Sequence, residues 1–570
     1  MTLRLFAKTR GNKALYRLLL IFLFLFCFTA ILLKINIFKL EHVEKNSPSN
    51  SNGNNLEEEE IVSPPTVGVD FMGEVKFVNL PSKEHGSPDL KLVTQGGEDP
   101  DPEVYQKRLF IKKMMEDAWG EYKKYAWGTN ELMPMTRIGR TGGDIYGNVN
   151  LGATIIDSLS TLFIMGMDDE FEKARAWVEK EYNLSEHCNE VSLFETNIRI
   201  LGGFLSAFAL TNDTLFLEKA KDVGERLLPA FDTSTGIPHP RVRLCRPQAS
   251  GSEISIAELG SLHLEFVYLS ILTKDYRYYD KVYKLRRHLR KIAGGGVYHD
   301  SVSIYDGQFT SSWTSIGGGA DSFYEYLVKS WIQLGKAEDL EMYHTAIQAM
   351  IDAGMMRTSP QNHFLYFGKV FTGGQADSSF SHLACFAGAM FALGSVSDRR
   401  SRTKTRDMDI AKNLTNTCHE SYDRAKTKLG PESFSFRPES FSFRRDAEAM
   451  SSSYDAQYYI LRPEVVESYF TLYRLTGDNK YREWGWEAAQ AIEKYCKARE
   501  GGGYSGITNV NNLYPHKDDV QQTFFLAETL KYLYLLFSSP NLIHLDNWVF
   551  NTEAHPLPVK GKNPMFSPFT

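Results

Sequence analysis

Several common functional signatures are absent from these 570 residues. The sequence contains no Ser-His-Asp nucleophile elbow, no glycine-rich phosphate loop, no paired Cys-x-x-Cys motif and no His-Glu-x-x-His zinc motif. An excess of positive charge is also missing, because 64 Lys and Arg face 70 Asp and Glu and give a formal net charge of -6. We therefore expect no nucleic acid partner, and the chemistry must depend on other residue types.

Cysteine is scarce, with six residues in the chain. Cys27 lies in an apolar run near the N-terminus, and an odd number remains, so at least one has no intramolecular partner. The others are Cys188, Cys245, Cys385, Cys418 and Cys496. Three Asn-x-Ser/Thr triplets would accept N-glycans if this part of the chain is lumenal. They begin at Asn183, Asn212 and Asn413.

The apolar run predicts a membrane anchor. Residues 18–33 carry no charge, and as a helix they would span roughly 24 Å, which the apolar residues up to Phe38 extend. Basic residues are densest before the run, so we expect residues 1–17 in the cytosol and the rest of the chain in the lumen. A cleaved signal peptide is the alternative, but no small-x-small cleavage site follows. We therefore predict a type II transmembrane anchor over residues 18–38.

A weakly apolar segment follows over residues 39–102. It contains Asn-Ser repeats, a run of consecutive glutamates and an Asp-Pro-Asp-Pro sequence. Such a segment cannot bury enough surface to offset the entropy of ordering, so we predict a flexible lumenal stem.

Helical hairpins dominate the prediction over residues 103–558. An apolar helix, a polar turn and an amphipathic helix recur, and acids in the turns are expected to cap the second helix. These acids are Asp168, Asp213, Asp275 and Asp478. The spacing is irregular and includes a β-branched stretch at residues 294–304, which favours a closed α/α barrel with β-hairpin insertions over an open solenoid. Residues 559–570 form the C-terminal tail.

The heptapeptide PESFSFR occurs twice in tandem, at residues 431–437 and 438–444. Its alternation of apolar and polar residues is typical of a strand. We interpret the pair as a loop duplication that could form an exposed hairpin, and we make no catalytic claim for it.

Carboxylates recur within apolar helical sequence, where they are costly unless they meet cations, donors or a ligand. Glu195 and Arg199 are four residues apart, and Glu464 and Glu467 are three apart, so each pair shares a helical face. The other candidates are Asp157, Glu258, Asp321, Glu528 and, after Thr552, Glu553. A structural ion pair would explain the first pair alone, and helix capping would explain Asp321 alone. Their repetition at the ends of successive helices predicts one shared polar cavity.

Such a cavity suits glycoside hydrolysis. One carboxyl group protonates the leaving oxygen, and another activates a water molecule or attacks the sugar. The additional carboxylates would hold a hard cation or bind sugar hydroxyls.

Five motifs resemble, in order and spacing, the signatures of glycoside hydrolase family 47, the class I α-1,2-mannosidases. They are LFETNIRILGG, ADSFYEYL, LRPEVVES, FFLAETLKYLYLLFS and VFNTEAHPLP. The resemblance covers about residues 103–558. It implies an all-α fold, an (α/α)7 barrel plugged by a hairpin, with a Ca2+ ion at its base. It also implies removal of α-1,2-linked mannose from high-mannose N-glycans with inversion.

The resemblance further implies roles for single residues. Glu195 resembles the general acid, acting directly or through water, with Asp321 as the competing candidate, and Glu464 resembles the general base. Thr552 resembles the direct calcium ligand through its carbonyl and hydroxyl oxygens. The residues that resemble substrate-pocket positions are Asp157, Arg199, Glu258, His382, Arg462, Glu467, Phe524, Glu528 and Glu553.

Two further expectations come from the same family. Cys385 and Cys418 fall where the family places a disulfide. Gly319 falls where family members that reside in the endoplasmic reticulum typically carry an arginine, which restricts cleavage to one branch of the glycan. An uncharged residue there implies a Golgi location and trimming of several mannoses, with the endoplasmic reticulum membrane as second choice. The alternatives are a mannosidase-like factor for degradation of misfolded glycoproteins and a catalytically dead scaffold. The occupied acid and base positions favour the enzyme.

Overall fold

The computed structural model describes residues 96–397, 403–436, 448–499 and 501–567. The predicted cytosolic tail, the predicted anchor and almost all of the predicted stem lie outside the described residues, as does the second heptapeptide copy. All described residues fall within one unit of the chain, Glu74–Thr570.

Helices dominate the described residues. The α-helices are α1 (Pro102–Tyr125), α2 (Ala153–Ile164), α3 (Asp168–Lys180), α4 (Leu193–Glu195), α5 (Gly202–Thr211), α6 (Thr214–Leu227), α7 (Ile256–Gly260), α8 (His263–Thr273), α9 (Tyr276–Ala293), α10 (Asp321–Leu334), α11 (Ala337–Asp352), α12 (Ala387–Ser397), α13 (Lys404–Asp423), α14 (Glu464–Thr476), α15 (Lys480–Cys496) and α16 (Leu530–Leu536). Two π-helical turns, Thr196–Leu201 and Phe525–Thr529, lead into α5 and α16.

Seven apolar helices contact one another in a cyclic order. The order is α2, α5, α8, α10, α12, α14 and α16, and the π-helical turn before α16 returns to α2. A helix enclosed in this way is apolar around most of its circumference, and α5, whose residues Gly202 to Leu210 are all buried, is an example.

An amphipathic helix packs against each of these seven. The pairs are α3 on α2, α6 on α5, α9 on α8, α11 on α10, α13 on α12, α15 on α14 and α1 on α16. In α6 the buried residues are spaced three or four apart, as in Phe216, Ala220, Val223 and Leu227, so one stripe faces the inner helix. The predicted helical hairpins are therefore present.

The predicted caps are partly correct. Asp213 and Asp275 each accept a hydrogen bond from the backbone two residues later, at the starts of α6 and α9. Asp478 accepts from the amide of Lys480, the first residue of α15. The prediction for Asp168 is wrong, because this residue is the first of α3 and the cap position before it belongs to Met167.

Short antiparallel strands occupy the connections between helices. They are β1 (Glu131–Met133), β2 (Ile138–Arg140), β3 (Glu190–Ser192), β4 (Arg241–Arg243), β5 (Gln248–Ser250), β6 (Glu253–Ser255), β7 (Ser301–Ser303), β8 (Trp313–Thr314), β9 (Met356–Thr358), β10 (Leu365–Phe367), β11 (Val370–Phe371), β12 (Ser379–Ser381), β13 (Ser433–Ser435), β14 (Met450–Ser451), β15 (Trp548–Phe550) and β16 (Pro556–Pro558). They pair as β1-β2, β3-β4-β5, β6-β7, β8-β11, β9-β10, β12-β13-β14 and β15-β16. In β15-β16, Phe550 pairs with Pro556, so a five-residue turn joins the two strands.

The first heptapeptide copy corrects the prediction of an exposed hairpin. Its residues form β13, the central strand between β12 and β14. Phe434 and Phe436, two residues apart and so on one face, are buried, whereas Ser433 and Ser435 are half-buried. The apolar alternation in the heptapeptide therefore reflects core packing.

Two described helical stretches, Leu193–Thr211 and Ile256–Thr273, are long and apolar enough to cross a membrane by length and composition alone. Their most apolar windows are 89% and 83% buried inside the protein. Both therefore belong to the protein core and do not bear on the predicted anchor.

Candidate active site

A cavity of about 370 Å³ brings together most of the residues predicted from sequence. The predicted residues that line it are Glu195, Arg199, Glu258, Asp321, Arg462, Glu464, Glu467, Phe524, Glu528, Thr552 and Glu553. Asp157 and His382 lie behind this lining, where each contacts a group beside the cavity. The predicted shared polar cavity is therefore present.

The carboxylates approach the cavity from the N-terminal ends of inner helices. Asp321 and Glu464 are the first residues of α10 and α14. Glu258 lies in α7, just before α8, and Glu528 lies in the π-helical turn before α16. Unpaired backbone N–H groups give a helix N-terminus a partial positive charge, so negative side chains are favoured there.

Glu464 is held as a carboxylate. Its Oε2 accepts a hydrogen bond of 2.8 Å from Nδ1 of His382, and a guanidinium nitrogen of Arg462 lies 4.0 Å from Oε1. Nε2 of His382 contacts the hydroxyl of Tyr422 at 2.7 Å, which fixes the orientation of the ring. Burial opposes ionisation, but His382 and Arg462 outweigh it, and the pKa of Glu464 lies below its ordinary value.

The surroundings of Asp321 favour its protonated form. Burial raises its pKa to about 7, and the negative charges of Glu325 and Glu464 add to this rise. The backbone N–H of Ser322 donates to Oδ1 of Asp321 at 2.7 Å and offsets only part of it. Asp321 therefore retains a proton near neutral pH in the same cavity in which Glu464 is ionised.

A buried cluster of Lys329, Glu325 and Glu467 was missed by the sequence analysis, apart from Glu467. The ammonium of Lys329 donates to Glu325 and lies 3.5 Å from Oε1 of Glu467. Burial raises the pKa of Glu467 to about 8. The signal was available, since Asp321, Glu325 and Lys329 follow one another at intervals of four residues on α10.

Arg199 connects several carboxylates. Its Nε donates to Glu195 at 2.8 Å, Nη1 contacts Glu553, and Nη1 lies 3.6 Å from Oδ2 of Asp157. The predicted ion pair of Glu195 and Arg199 thus exists inside the cavity. The guanidinium carbon of Arg199 also lies 5.8 Å from the centroid of the Phe524 ring, which lines the same wall.

Arg462 forms a bidentate ion pair with Glu432, which was not predicted. Its Nε and Nη2 donate to the two carboxylate oxygens of Glu432 at 2.6 and 2.7 Å. Glu432 belongs to the first heptapeptide copy, which the sequence analysis left without a role. The bidentate geometry fixes the guanidinium plane of Arg462 beside Glu464.

Thr552 and Glu553 reach the cavity from the turn between β15 and β16. Oδ1 of Asn551 accepts hydrogen bonds from the backbone N–H groups of Glu553 and His555, at 2.9 and 2.8 Å. Nδ2 of Asn551 donates to Oε1 of Glu265 at 2.8 Å. The side chain of Asn551, which was not predicted, therefore organises the turn.

The donor set of the cavity fits a hard cation. Eight carboxylates line it against two guanidinium groups: Glu195, Glu258, Asp321, Glu325, Glu464, Glu467, Glu528 and Glu553 against Arg199 and Arg462. Burial raises the pKa values of Glu528 and Glu553 well above the ordinary range, as expected for a site short of positive charge. Within the described residues no three His, Cys, Asp or Glu side chains are grouped to ligate one ion. Thr552 could supply neutral oxygens, with the carboxylates acting through water.

Two disulfides lie outside the cavity. Cys385 is bonded to Cys418, the pair that the family resemblance implies. Cys188 is bonded to Cys245, 57 residues away, a pair to which the sequence analysis made no assignment. Cys496 is buried without a disulfide partner among the described residues.

Comparison with known proteins places this geometry in a family. The sequence model of glycosyl hydrolase family 47 matches residues 114–559. Mannosyl-oligosaccharide alpha-1,2-mannosidase IA of Spodoptera frugiperda is 44% identical over 528 residues, which are 91% of this chain and 77% of the relative. Mannosyl-oligosaccharide 1,2-alpha-mannosidase IB of Homo sapiens is 46% identical over 475 residues, 82% of this chain and 72% of the relative. The solved structure of an alpha-1,2-mannosidase from Trichoderma reesei matches with a TM-score of 0.72 at 29% identity, covering 82% of this chain and all of that one.

Proposed function

Since the chain belongs to glycosyl hydrolase family 47 and is a glycoside hydrolase, we propose that it is a calcium-dependent, inverting exo-α-1,2-mannosidase that trims high-mannose N-glycans. One observation carries the proposed mechanism. Asp321 and Glu464 line the same cavity, and their surroundings move their pKa values in opposite directions. Two carboxyl groups whose pKa values are moved apart in this way suit the acid and the base of glycoside hydrolysis.

In the proposed reaction Asp321 gives its proton to the glycosidic oxygen as the bond from this oxygen to the anomeric carbon breaks. Glu464 takes a proton from the water molecule that attacks the opposite face of that carbon. The products are free mannose with inverted configuration and a shortened glycan, and solvent returns both carboxyl groups to their starting states. An inverting pair needs a separation of roughly 6.5 to 9.5 Å to admit this water.

Glu195 is the competing candidate for the acid. One of its oxygens already accepts a hydrogen bond from Arg199, an arrangement that suits an acceptor better than a proton donor. We therefore assign the proton donor to Asp321 and assign Glu195 to orienting water or substrate hydroxyls. Phe524 would support the sugar ring through its aromatic face.

The proposal includes calcium and the wider architecture. Thr552 and the surrounding carboxylates would hold Ca2+, which supplies a high-coordination, all-oxygen centre for sugar hydroxyls. The cyclic helix contacts support a closed (α/α)7 barrel. The apolar run at residues 18–38 supports a type II anchor with the catalytic part in the lumen, and the uncharged residue Gly319 supports the Golgi membrane.

The full-length protein in detergent should remove α-1,2-linked mannoses from a nine-mannose glycan. A calcium chelator should stop the reaction, and added Ca2+ should restore it. Proton NMR should detect β-mannose as the first product, because inversion of an α-linkage gives the β-anomer.

Variants at the acid and base positions test the assignment. Glu464→Gln and Asp321→Asn should each lower kcat by about 100-fold or more while glycan binding persists. Glu341→Gln, an exposed change on α11, is the control and should leave turnover unchanged. A folded, calcium-loaded protein that binds the glycan without cleaving it would favour the degradation-factor or scaffold alternative.

A further inference from the structure

The proposed reaction gives no role to the buried side-chain nitrogen of Lys531. Lys531, the second residue of α16, is fully buried. Its Nζ donates to the backbone carbonyl of Ala554 at 2.6 Å and to Oγ of Ser160 at 2.9 Å. A polar group taken out of water is costly unless such bonds compensate it, and an apolar residue of similar size would often be at least as stable in its place. A role beyond stability is therefore worth testing.

The turn that Lys531 contacts contains the predicted calcium ligand. Ala554 has a φ of 55°, in the left-handed region that residues with a Cβ atom rarely adopt. Two backbone hydrogen bonds close the turn, from Ala554 to Asn551 and from Asn551 to His555. The side chain of Asn551 adds two hydrogen bonds from within the turn, and the bond from Lys531 to Ala554 is a contact from outside it.

The contacts around Lys531 join three elements. Oγ of Ser160, on α2, lies within hydrogen-bond distance of Nζ of Lys531 and, at 3.3 Å, of Nδ1 of His555. Nε2 of His555 meets Oδ1 of Asp157, also on α2, at 3.0 Å. Lys531, Ser160 and His555 thus connect α16, α2 and the turn in one buried polar cluster.

We propose that Lys531 is a positioning residue for the calcium site, an inference that rests on the proposed function. Its side-chain nitrogen fixes the carbonyl of Ala554 and thereby sets the peptide planes before it. Those planes determine where the carbonyl and hydroxyl of Thr552 and the carboxylate of Glu553 point. A hydrogen bond from the side-chain nitrogen of Lys531 to a backbone carbonyl is directional, and in a dry interior it is stronger than in water.

The test is the calcium affinity of Lys531→Met, which keeps the volume and removes the donor. Titration calorimetry of CaCl2 into the chelator-treated full-length protein in detergent gives Kd without turnover. We expect Kd to rise tenfold or more, equivalent to about 1.4 kcal/mol. At saturating Ca2+, kcat should recover to within a few-fold of wild type, because the acid and base remain in place.

A matched control separates positioning from general stability. Ile347→Ala opens a cavity at a buried position on α11, so it should lower thermal stability without changing the calcium Kd. If Lys531→Met fails to fold, Ser160→Ala replaces it. That variant removes one partner of Lys531 and of His555 and should raise the Kd two- to fivefold.

The outcomes are distinguishable from failure of the proposed function. If wild type binds no Ca2+ and cleaves no mannose, the proposed function is wrong. If wild type binds Ca2+ and the folded Lys531→Met protein binds it with the same Kd, the positioning role is wrong and the function stands. An unchanged Kd in Ser160→Ala, where Lys531→Met cannot be obtained, would also overturn the positioning role.

Discussion

The assignment of Asp321 as the acid can be tested without touching either catalytic candidate. Glu325 lies one helical turn after Asp321 on α10, and among the nearby charges it contributes most to the raised pKa of Asp321. The change Glu325→Gln removes that charge and retains the shape of the side chain. The ionised form of Asp321 then becomes less costly, so its pKa should fall.

The size of the fall follows from the geometry. The Cβ atoms of helical residues four apart lie about 6 Å from each other, and two charges at that separation interact by roughly 3 kcal/mol at an effective dielectric constant of about 20. Lys329 donates to Glu325 and cancels part of this effect, which leaves about 1.4 kcal/mol, or about one pKa unit. The pKa of Asp321 should therefore move from about 7 to about 6.

The assay is the pH dependence of kcat/KM from about pH 3 to about pH 9. A general acid works in its protonated form, so activity is lost as the pH rises through its pKa. The alkaline limb of Glu325→Gln should shift down by about one unit, which lowers kcat/KM about eightfold at pH 7.5 and hardly at pH 5. The acid limb should lie below the ordinary pKa of a glutamate, 4.5, because it reports Glu464.

Two results would refute this reasoning. An alkaline limb that stays in place in Glu325→Gln would mean that Asp321 is not the titrating acid. If the alkaline limb remains in the residual activity of Asp321→Asn but disappears in Glu195→Gln, the general acid is Glu195. Glu341→Gln removes the same charge at an exposed position and should leave the profile unchanged.

Other predictions concern stability and specificity. Arg199→Met should cost about 3–5 kcal/mol in urea unfolding, because it leaves buried carboxylates without their cation, and a loss below 1 kcal/mol would contradict this. Replacing Cys385 and Cys418 together by serine should cost about 2–4 kcal/mol, and an unchanged Tm would argue against the stabilising role. Gly319→Arg should cost about 1–2 kcal/mol, since Gly319 has a φ of 93°, and glycan mapping should show fewer mannoses removed.

The helical organisation could be predicted because its signals are local. Alternating apolar and amphipathic segments identify helix pairs, and the structure contains seven such pairs. Carboxylates at the starts of apolar segments, such as Asp321 and Glu464, were also visible. A helix start is a position that sequence can indicate, and a buried acid there needs a reason.

Pairings between distant segments could not be predicted from sequence alone. Cys188 and Cys245 meet because β3 and β4 pair, and no local pattern encodes that register. Glu432 pairs with Arg462, 30 residues later, and nothing in the repeated heptapeptide indicates that pairing. In each case the signal exists only once the chain has folded.

The same limit explains why the residue pattern alone, without the family resemblance, does not distinguish the acid from the base. Asp321 and Glu464 occupy equivalent places, each the first residue of an inner helix, so the helix N-terminus favours the ionised form of both. What differs is the group packed beside each one. His382, 82 residues before Glu464, donates to it, whereas Asp321 faces the negative charge of Glu325. His382→Phe removes this donor, so it should raise the pKa of Glu464 and move the acid limb of the kcat/KM profile toward neutral pH. The pH range in which Asp321 is protonated while Glu464 is ionised should therefore become narrower.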